Sequence, residues 1–524
     1  MQIKLALATA TRLLGMSLLA VAVASPVTAF AQEPEEGEAD EGDSAAEQAE
    51  APASTAVTPP PSVTPPAPPL PPAPPPNPFS LAVKGFVAGS IMMQDTSTAG
   101  GNYNLFLFGG RESQTDKWMY GGDVRQSQLK FFITGPKLIG AIPTAGFDFD
   151  LLGGHQINSV PGAVAPITVT TMNAMGMPVT SVLGNAPTGT SAQGDENLLP
   201  RVRLAYLELN WNAGEDIVRI GQFHNLIVPM IAASLSHIGA PLGYGAGQLG
   251  WRAPGITYQH TFKLSETTSL AASIQLNRNN WADNLPTCAP GQNTVAPNAM
   301  GGMPATKNNC LPQGVSLAEA SGLPQVQARL MLSGPPKASP FPMYAPNAWQ
   351  VHLVGVWDQK DASGLGAELP AGTGLQDKLT TAIVSAGFKA SLGPVLIAGH
   401  GWYGKNAGSL FGHIFAMQHP AAGDINGFGG WGQVGVSLTP QLALWAFGGI
   451  DKPKEADIRK TIGGGYVQNI QLVGMASFVA GPLAFSLEYM RIMSDLASVN
   501  PMTGAQTLTS GTANQISLTG AFFF

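Results

Sequence analysis

The chain has 524 residues, 11% charged and 44% apolar, so its polarity rests mainly on Gly, Ser, Thr, Gln and Asn. A net charge of −7 offers no basic face for nucleic acid, and beyond residue 31 no run of about 18 apolar residues offers a membrane helix. The acidity is local: without the nine acids of residues 33–50, and without Lys4 and Arg12, 24 acids stand against 24 bases.

Residues 1–31 read as a signal peptide. Lys4 and Arg12 supply positive charge, Leu13 to Val23 is apolar but too short to span, and Ala29-Phe30-Ala31 offers a cleavage site before Gln32. Residues 32–78 cannot build a core. They are acidic and Ala-rich first, then a stiff proline-dense spacer from Pro59 to Pro78. This predicts a disordered periplasmic linker, free or reaching the cell wall.

From Phe79 onward the pattern has period two. Sixteen candidate strands lie near 81–93, 123–134, 143–152, 200–211, 216–223, 254–262, 268–277, 324–333, 348–358, 380–392, 394–403, 428–437, 441–450, 466–479, 482–495 and 514–524. In Trp349-Gln350-Val351-His352-Leu353 greasy and polar positions alternate, as they do around Phe485, Leu487 and Tyr489. Connections sort by parity. Gly135-Pro136-Lys137, Asn212-Ala213-Gly214, Lys263-Leu264-Ser265, Leu392-Gly393-Pro394, Thr439-Pro440 and Gly481-Pro482 are tight, whereas 334–346 is longer. The alternate connections are mostly long and polar, with 451–465 modest. Short turns on one rim and long loops on the other mark a membrane barrel. Lipid leaves no unpaired backbone group satisfied, so the sheet must close. The final strand ends Phe522-Phe523-Phe524, with Ile516, Leu518, Phe522 and Phe524 on one face, similar to the insertion signal of outer-membrane barrels. The predicted fold is an all-β, transmembrane, antiparallel 16-stranded barrel over residues 79–524.

A diffusion channel works through a water-filled bore and the charge on its wall. By parity the inward bases are Lys84, Lys130, Arg201, Arg203, Arg219, Arg329 and Lys389, and the inward acids Asp148, Asp150, Glu208 and Glu488. The excess of base favours anions, unless cross-strand pairing cancels it. Arg201 and Glu208 differ in parity, which demands a bulge or a rim position. The segment after the fifth strand carries apolar Leu226 to Ile231 and then a Gly-rich run to Gly250. An exposed loop should be polar, so this one is expected to fold inward and narrow the pore, with His224, His237 and Arg252 at the constriction. The alternative is an apolar patch at a subunit contact.

Cys288 and Cys310 share one long polar loop, and an exported chain with an even count points to a disulfide. No nucleophile elbow, zincin helix, phosphate loop or C-x-x-C motif is present. The sequence therefore gives no reason to expect an enzyme, a cofactor or a metal. The expected partners are outer-membrane lipid and small polar or anionic solutes, and no nucleic acid. A second reading is a structural barrel that anchors the envelope through its Pro-rich tail.

Asp123-Val124-Arg125-Gln126-Ser127, Phe147-Asp148-Phe149-Asp150, Pro200-Arg201-Val202-Arg203-Leu204-Ala205-Tyr206-Leu207-Glu208 and Gly221-Gln222 resemble the early strands of the trimeric DcaP-like porins. The resemblance covers roughly residues 81–260. It implies a homotrimer in the Gram-negative outer membrane, an inward third outer loop, uptake of small anions such as carboxylates, and Lys130, Arg203 and Arg219 as wall charges. This chain departs from that family at its N-terminus, where proline at 59–78 forbids the helical coiled coil often found there.

Overall fold

The computed structural model describes residues 78–524 except 97, 99–102, 104, 108–113, 153–162, 173–177, 189–199, 279–320, 338–346, 362–377, 417–423, 461–463 and 500–502. The signal-peptide and linker expectations, and Cys288 with Cys310, fall outside the described residues.

The period-two pattern becomes one closed antiparallel sheet of sixteen staves. They are β1 Ser80–Thr96, β2 Gln114–Asp123 continued as Gln128–Thr134, β3 Ile142–Asp150, β4 Arg201–Trp211, β5 Asp216–His224, β6 Arg252–Lys263, β7 Ser269–Asn277 and β8 Gln325–Ser333. Then follow β9 Trp349–Asp361, β10 Lys378–Leu392, β11 Val395–Lys405, β12 Asn426–Ser437, β13 Leu442–Pro453, β14 Gly464–Ala480, β15 Leu483–Val499 and β16 Gln506–Phe523. Each pairs with its chain neighbour, and β1 closes on β16, Phe86 opposite Phe523 and Gln94 opposite Gln515. A separate hairpin, Ala163–Met172 with Pro178–Thr188, stands in the second outer connection.

All sixteen predicted strand positions are occupied; the differences lie at the loop rim. β16 begins at Gln506, where Gln506, Leu508 and Ser510 pair with the extended end of β15. β2 reaches back to Gln114 but breaks at 124–127. The break has a cause. Arg125 folds back so that its backbone N–H and guanidinium bond Asp123, while the Ser127 hydroxyl takes the Ala88 N–H at 3.0 Å. That turns Gln126 into the bore.

The faces divide as the alternation requires. Outward Val87 is 61% exposed and Leu518 54%, whereas inward Ala88 and Ser517 are buried. Exposed aromatics gather toward both rims: Trp118, Tyr120 and Trp357 on the loop side, Phe262, Phe388 and Phe522 on the turn side. Such belts sit at the two membrane interfaces. An apolar outer band of this extent needs lipid around it.

Closure depends on the last residue. Gly85 N–H donates to the Phe524 carbonyl at 2.8 Å, and Phe524 N–H returns to Gly85 at 3.0 Å. A Cβ at Gly85 would strike the Gln128 carbonyl and sit 2.9 Å from Phe524 Cζ. Gly85→Val is therefore expected to weaken the seam by about 1–3 kcal/mol. The check is heat-modifiable mobility on a denaturing gel, where an unchanged unfolding temperature would contradict it.

Candidate functional site: the bore and its third outer loop

The connection from β5 to β6, residues 225–251, runs through the inside of the barrel, and almost all of it is buried. Its apolar start explains why. Leu226, Ile227 and Val228 pack with Val354, Val356, Ile383 and Trp402 of β9–β11. Met230, Ala232, Ala233 and Leu242 join a second cluster with Trp431 and Phe447. Burial of each large side chain is worth about 1.5–3 kcal/mol.

Inside the barrel the loop's backbone loses water, so the wall must bond it. Uncharged carboxamides do most of this. Leu226 N–H donates to Gln275 of β7 at 2.9 Å and Ile227 N–H to Gln327 of β8 at 3.1 Å. Ala233 exchanges two bonds, 2.7 and 2.8 Å, with Gln433 of β12. Gly243 N–H donates to Gln471 of β14 at 2.7 Å, and Gln126 takes the Gly239 N–H at 2.7 Å. Gly247, at φ +103°, lies so close to Gly430 of β12 that a Cβ there would collide with its backbone.

Glu488 of β15 is the densest of these anchors. Its carboxylate accepts the Ser234 hydroxyl at 2.7 Å, the Leu235 N–H at 3.1 Å, the Ser236 N–H at 2.9 Å and the Ser486 hydroxyl at 3.0 Å. His237 lies beside it, its Nδ1 3.9 Å from the carboxylate and 2.8 Å from the Ser236 hydroxyl. Burial pushes the His237 imidazole below its ordinary pKa. The structure thus places Glu488 under the loop and His237 within it, rather than on an open wall.

Two further outer loops close over this one. Leu105 and Phe106 of the first, and Phe411 and Ile414 of the sixth, cluster with Tyr244 and Trp251. In the sixth loop His413, Ile414 and Phe415 are all left-handed, φ 53°, 54° and 56°, a conformation costing L-residues roughly 1–2 kcal/mol each. Packing and one special bond hold it: His413 Nδ1 accepts the Ala407 N–H at 3.2 Å.

Burial lowers the His413 pKa from 6.5 to about 3. The fold prefers the neutral ring, so its contribution is complete above about pH 6.5 and falls by about 1.4 kcal/mol per unit toward pH 3. Hydrogen exchange at residues 406–416 is expected to quicken between about pH 7.5 and pH 5, after correction for intrinsic rates, and His413→Gln to flatten the change. Equal protection at both pH values would refute it.

Along the β2–β6 wall several charged side chains keep some access to water. Side chains of Lys130, Arg201, Arg219 and Glu208 retain 21%, 20%, 16% and 16% exposure. The bases are threaded with acids. Arg201 grips Asp150 at 2.5 and 3.0 Å, Arg203 lies 3.5 Å from Asp148 and 3.8 Å from Asp150, Lys130 is 4.0 Å from Asp148, and Arg219 holds Glu208. The β3–β4 register skips Arg203, since Asp148 faces Leu204 and Phe149 faces Val202. That is the bulge demanded by the parity of Arg201 and Glu208.

His224 and Arg252 face each other at the foot of the loop, and the Arg252 guanidinium lies 4.0 Å over the Trp251 ring. Arg203 Nε and Nη1 and Arg252 Nη1 are buried without a hydrogen-bond acceptor in the chain. Of the other candidates, Lys84 of β1 stands directly opposite Lys130 and adjoins the wall. Arg329 donates to the Leu226 carbonyl at 3.3 Å beneath the loop, and Lys389 bonds Asn347.

The glutamines that hold the loop were not singled out from the sequence. Their signal was available: Gln275, Gln327, Gln433 and Gln471 all stand at the inward parity of their strands. Only the fold shows that they face loop backbone instead of solvent.

The outer membrane channel DcaP of Acinetobacter baumannii has a similar structure, with a TM-score of 0.51 at 14% identity over 85% of this chain and 97% of that one. The chain has the fold of a 16-stranded outer-membrane channel. An anion-selective porin from Comamonas acidovorans aligns at TM-score 0.45 and 11% identity, over 85% of this chain and all of that one. The trimer form of OmpT from Vibrio cholerae aligns at 0.43 and 9%, over 86% and 100%. No protein-family model and no curated protein matches the sequence.

Proposed function

We propose that this protein is an outer-membrane channel for passive diffusion of small hydrophilic solutes, with a preference for anions such as carboxylates. The observation that carries the preference is the β2–β6 wall, where Lys130, Arg201, Arg203, Arg219 and Arg252 outnumber Asp148, Asp150 and Glu208, and Asp123 is matched by Arg125. The ion pairs neutralise part of the charge: Arg203 Nε and Nη1 face Asp148 and Asp150 at 3.5 and 3.8 Å, while Arg252 Nη1 has no acceptor in the chain. In a narrow passage walled by protein, such groups replace part of an anion's hydration shell. No bond chemistry is needed.

The first strand begins at Ser80 and the last ends at Phe523, both at the turn rim, so this reading puts the Pro-rich segment in the periplasm, within reach of the cell wall. The apolar outer band suits lipid and two further copies in a homotrimer. The test is purified protein in a planar bilayer under a KCl gradient. Steady conductance steps with an anion-directed zero-current potential support the proposal, and a cation-directed potential overturns the preference. The density of side chains beneath the three inward loops favours one second reading, a barrel that anchors the envelope and conducts little. Electrically silent insertion would select it.

A further inference from the structure

One row of inward side chains crosses the wall away from the basic passage. In the β8–β12 register Met331 lies opposite His352, His352 opposite Gly387, Gly387 opposite His400, and His400 opposite Trp431. All but the glycine are buried. A Cβ at Gly387 would lie 2.5 Å from the Gly399 carbonyl and 2.7 Å from His352 Nε2. The missing side chain is therefore what lets the two imidazoles meet across an intervening strand. They stack with centroids 5.6 Å apart, and His352 Nε2 is 3.3 Å from His400 Nδ1.

That separation has two readings. It is a long hydrogen bond, and it is also the bite of a chelate, since two nitrogens about 2.0–2.1 Å from one tetrahedral ion lie roughly 3.3–3.4 Å apart. The outer nitrogens, His352 Nδ1 and His400 Nε2, have no partner in the chain to fix their tautomers. Both rings can therefore carry their proton outward and turn both facing lone pairs to one ion, with no net loss of a proton.

The remaining neighbours are soft. Directly opposed cross-strand side chains have Cβ atoms about 4.5–5.5 Å apart, which puts the Met331 thioether within reach of His352. Met230 of the third loop belongs to the buried cluster that contains Ala398, two residues before His400 on its strand, and Trp431, opposite His400 in register. Among the described residues no three His, Cys, Asp or Glu side chains gather at one point, so a hard or borderline dication finds no carboxylate or thiolate here. The positive charge of Arg329 acts on His352, which disfavours a dication more than a monocation.

We propose that His352, His400 and Met331 bind one soft monovalent metal ion of the copper(I) type in the bore wall. Imidazole and thioether ligands without carboxylate select such an ion. The site lies apart from the β2–β6 passage and does not depend on the anion preference.

The test uses the full chain in detergent with Cys288→Ser and Cys310→Ser, which removes the competing thiols. Copper(I) is titrated under anaerobic reducing conditions against bicinchoninate, with heat-modifiable mobility as the check on folding. One equivalent withdrawn from the chelator is expected. His352→Gln and His400→Gln should weaken binding by at least the roughly 10–100-fold typical of disturbed metal sites. The near-isosteric Met331→Leu should weaken copper(I) binding without altering zinc(II). If either histidine variant does not fold, Met331→Leu decides alone. No copper(I) taken from the chelator, an unchanged affinity in the folded variants, or zinc(II) bound as tightly as copper(I) would each overturn the proposal.

Discussion

Replacing Glu488 by alanine is expected to raise single-channel conductance severalfold while leaving the barrel folded. The carboxylate takes four hydrogen bonds of 2.7–3.1 Å, three of them from Ser234, Leu235 and Ser236 of the third loop. Bonds to a charged acceptor contribute about 1.5–3 kcal/mol each. Removing it also strands two buried N–H donors, whose only remedy is for that part of the loop to lift and rehydrate. The stave-to-stave ladder does not involve this side chain, so heat-modifiable mobility should persist. Glu488→Gln keeps an acceptor for the two backbone donors and should give a smaller rise. Wild-type conductance in both variants would show that the loop is held by its apolar contacts alone.

The second large effect concerns selectivity. Arg203→Ala with Arg219→Ala leaves Lys130, Arg201 and Arg252 against Asp148, Asp150 and Glu208 on the β2–β6 wall. The zero-current potential in a KCl gradient should fall close to zero. Adding Arg252→Gln should carry it to the cation side. Asp148→Asn with Asp150→Asn should move it the other way, because these acids neutralise Lys130, Arg201 and Arg203. At a low effective dielectric one unit charge at 4 Å is worth about 4 kcal/mol, far more than the roughly 1.4 kcal/mol that changes a permeability ratio tenfold. An unmoved potential across the whole set would place the permeation path elsewhere.

Both predictions draw on residues that the sequence had marked, but in different ways. Arg203 and Arg219 were legible as inward bases because side chains alternate across a strand. Their partners were less so: Asp150 binds Arg201 at 51 residues' separation. Glu488 was legible as an inward acid but not as an anchor, because its three loop donors come from 252–254 residues away.

The sequence by itself determined the barrel, its sixteen staves and the short and long rims, and narrowed the region of Arg203 to a bulge or a rim position and the apolar third loop to an inward fold or a subunit contact. Those features follow from local periodicity, turn chemistry and the cost of exposing grease to water, all readable within about ten residues. Only the tertiary structure decided which inward groups meet water and which meet the loop. It set the Gln and Glu488 anchors, joined the first and sixth loops over the third, and brought His352 and His400 together across Gly387. Closing the sheet fixes which staves face each other across the bore, and that geometry depends on the whole ring rather than on any one strand.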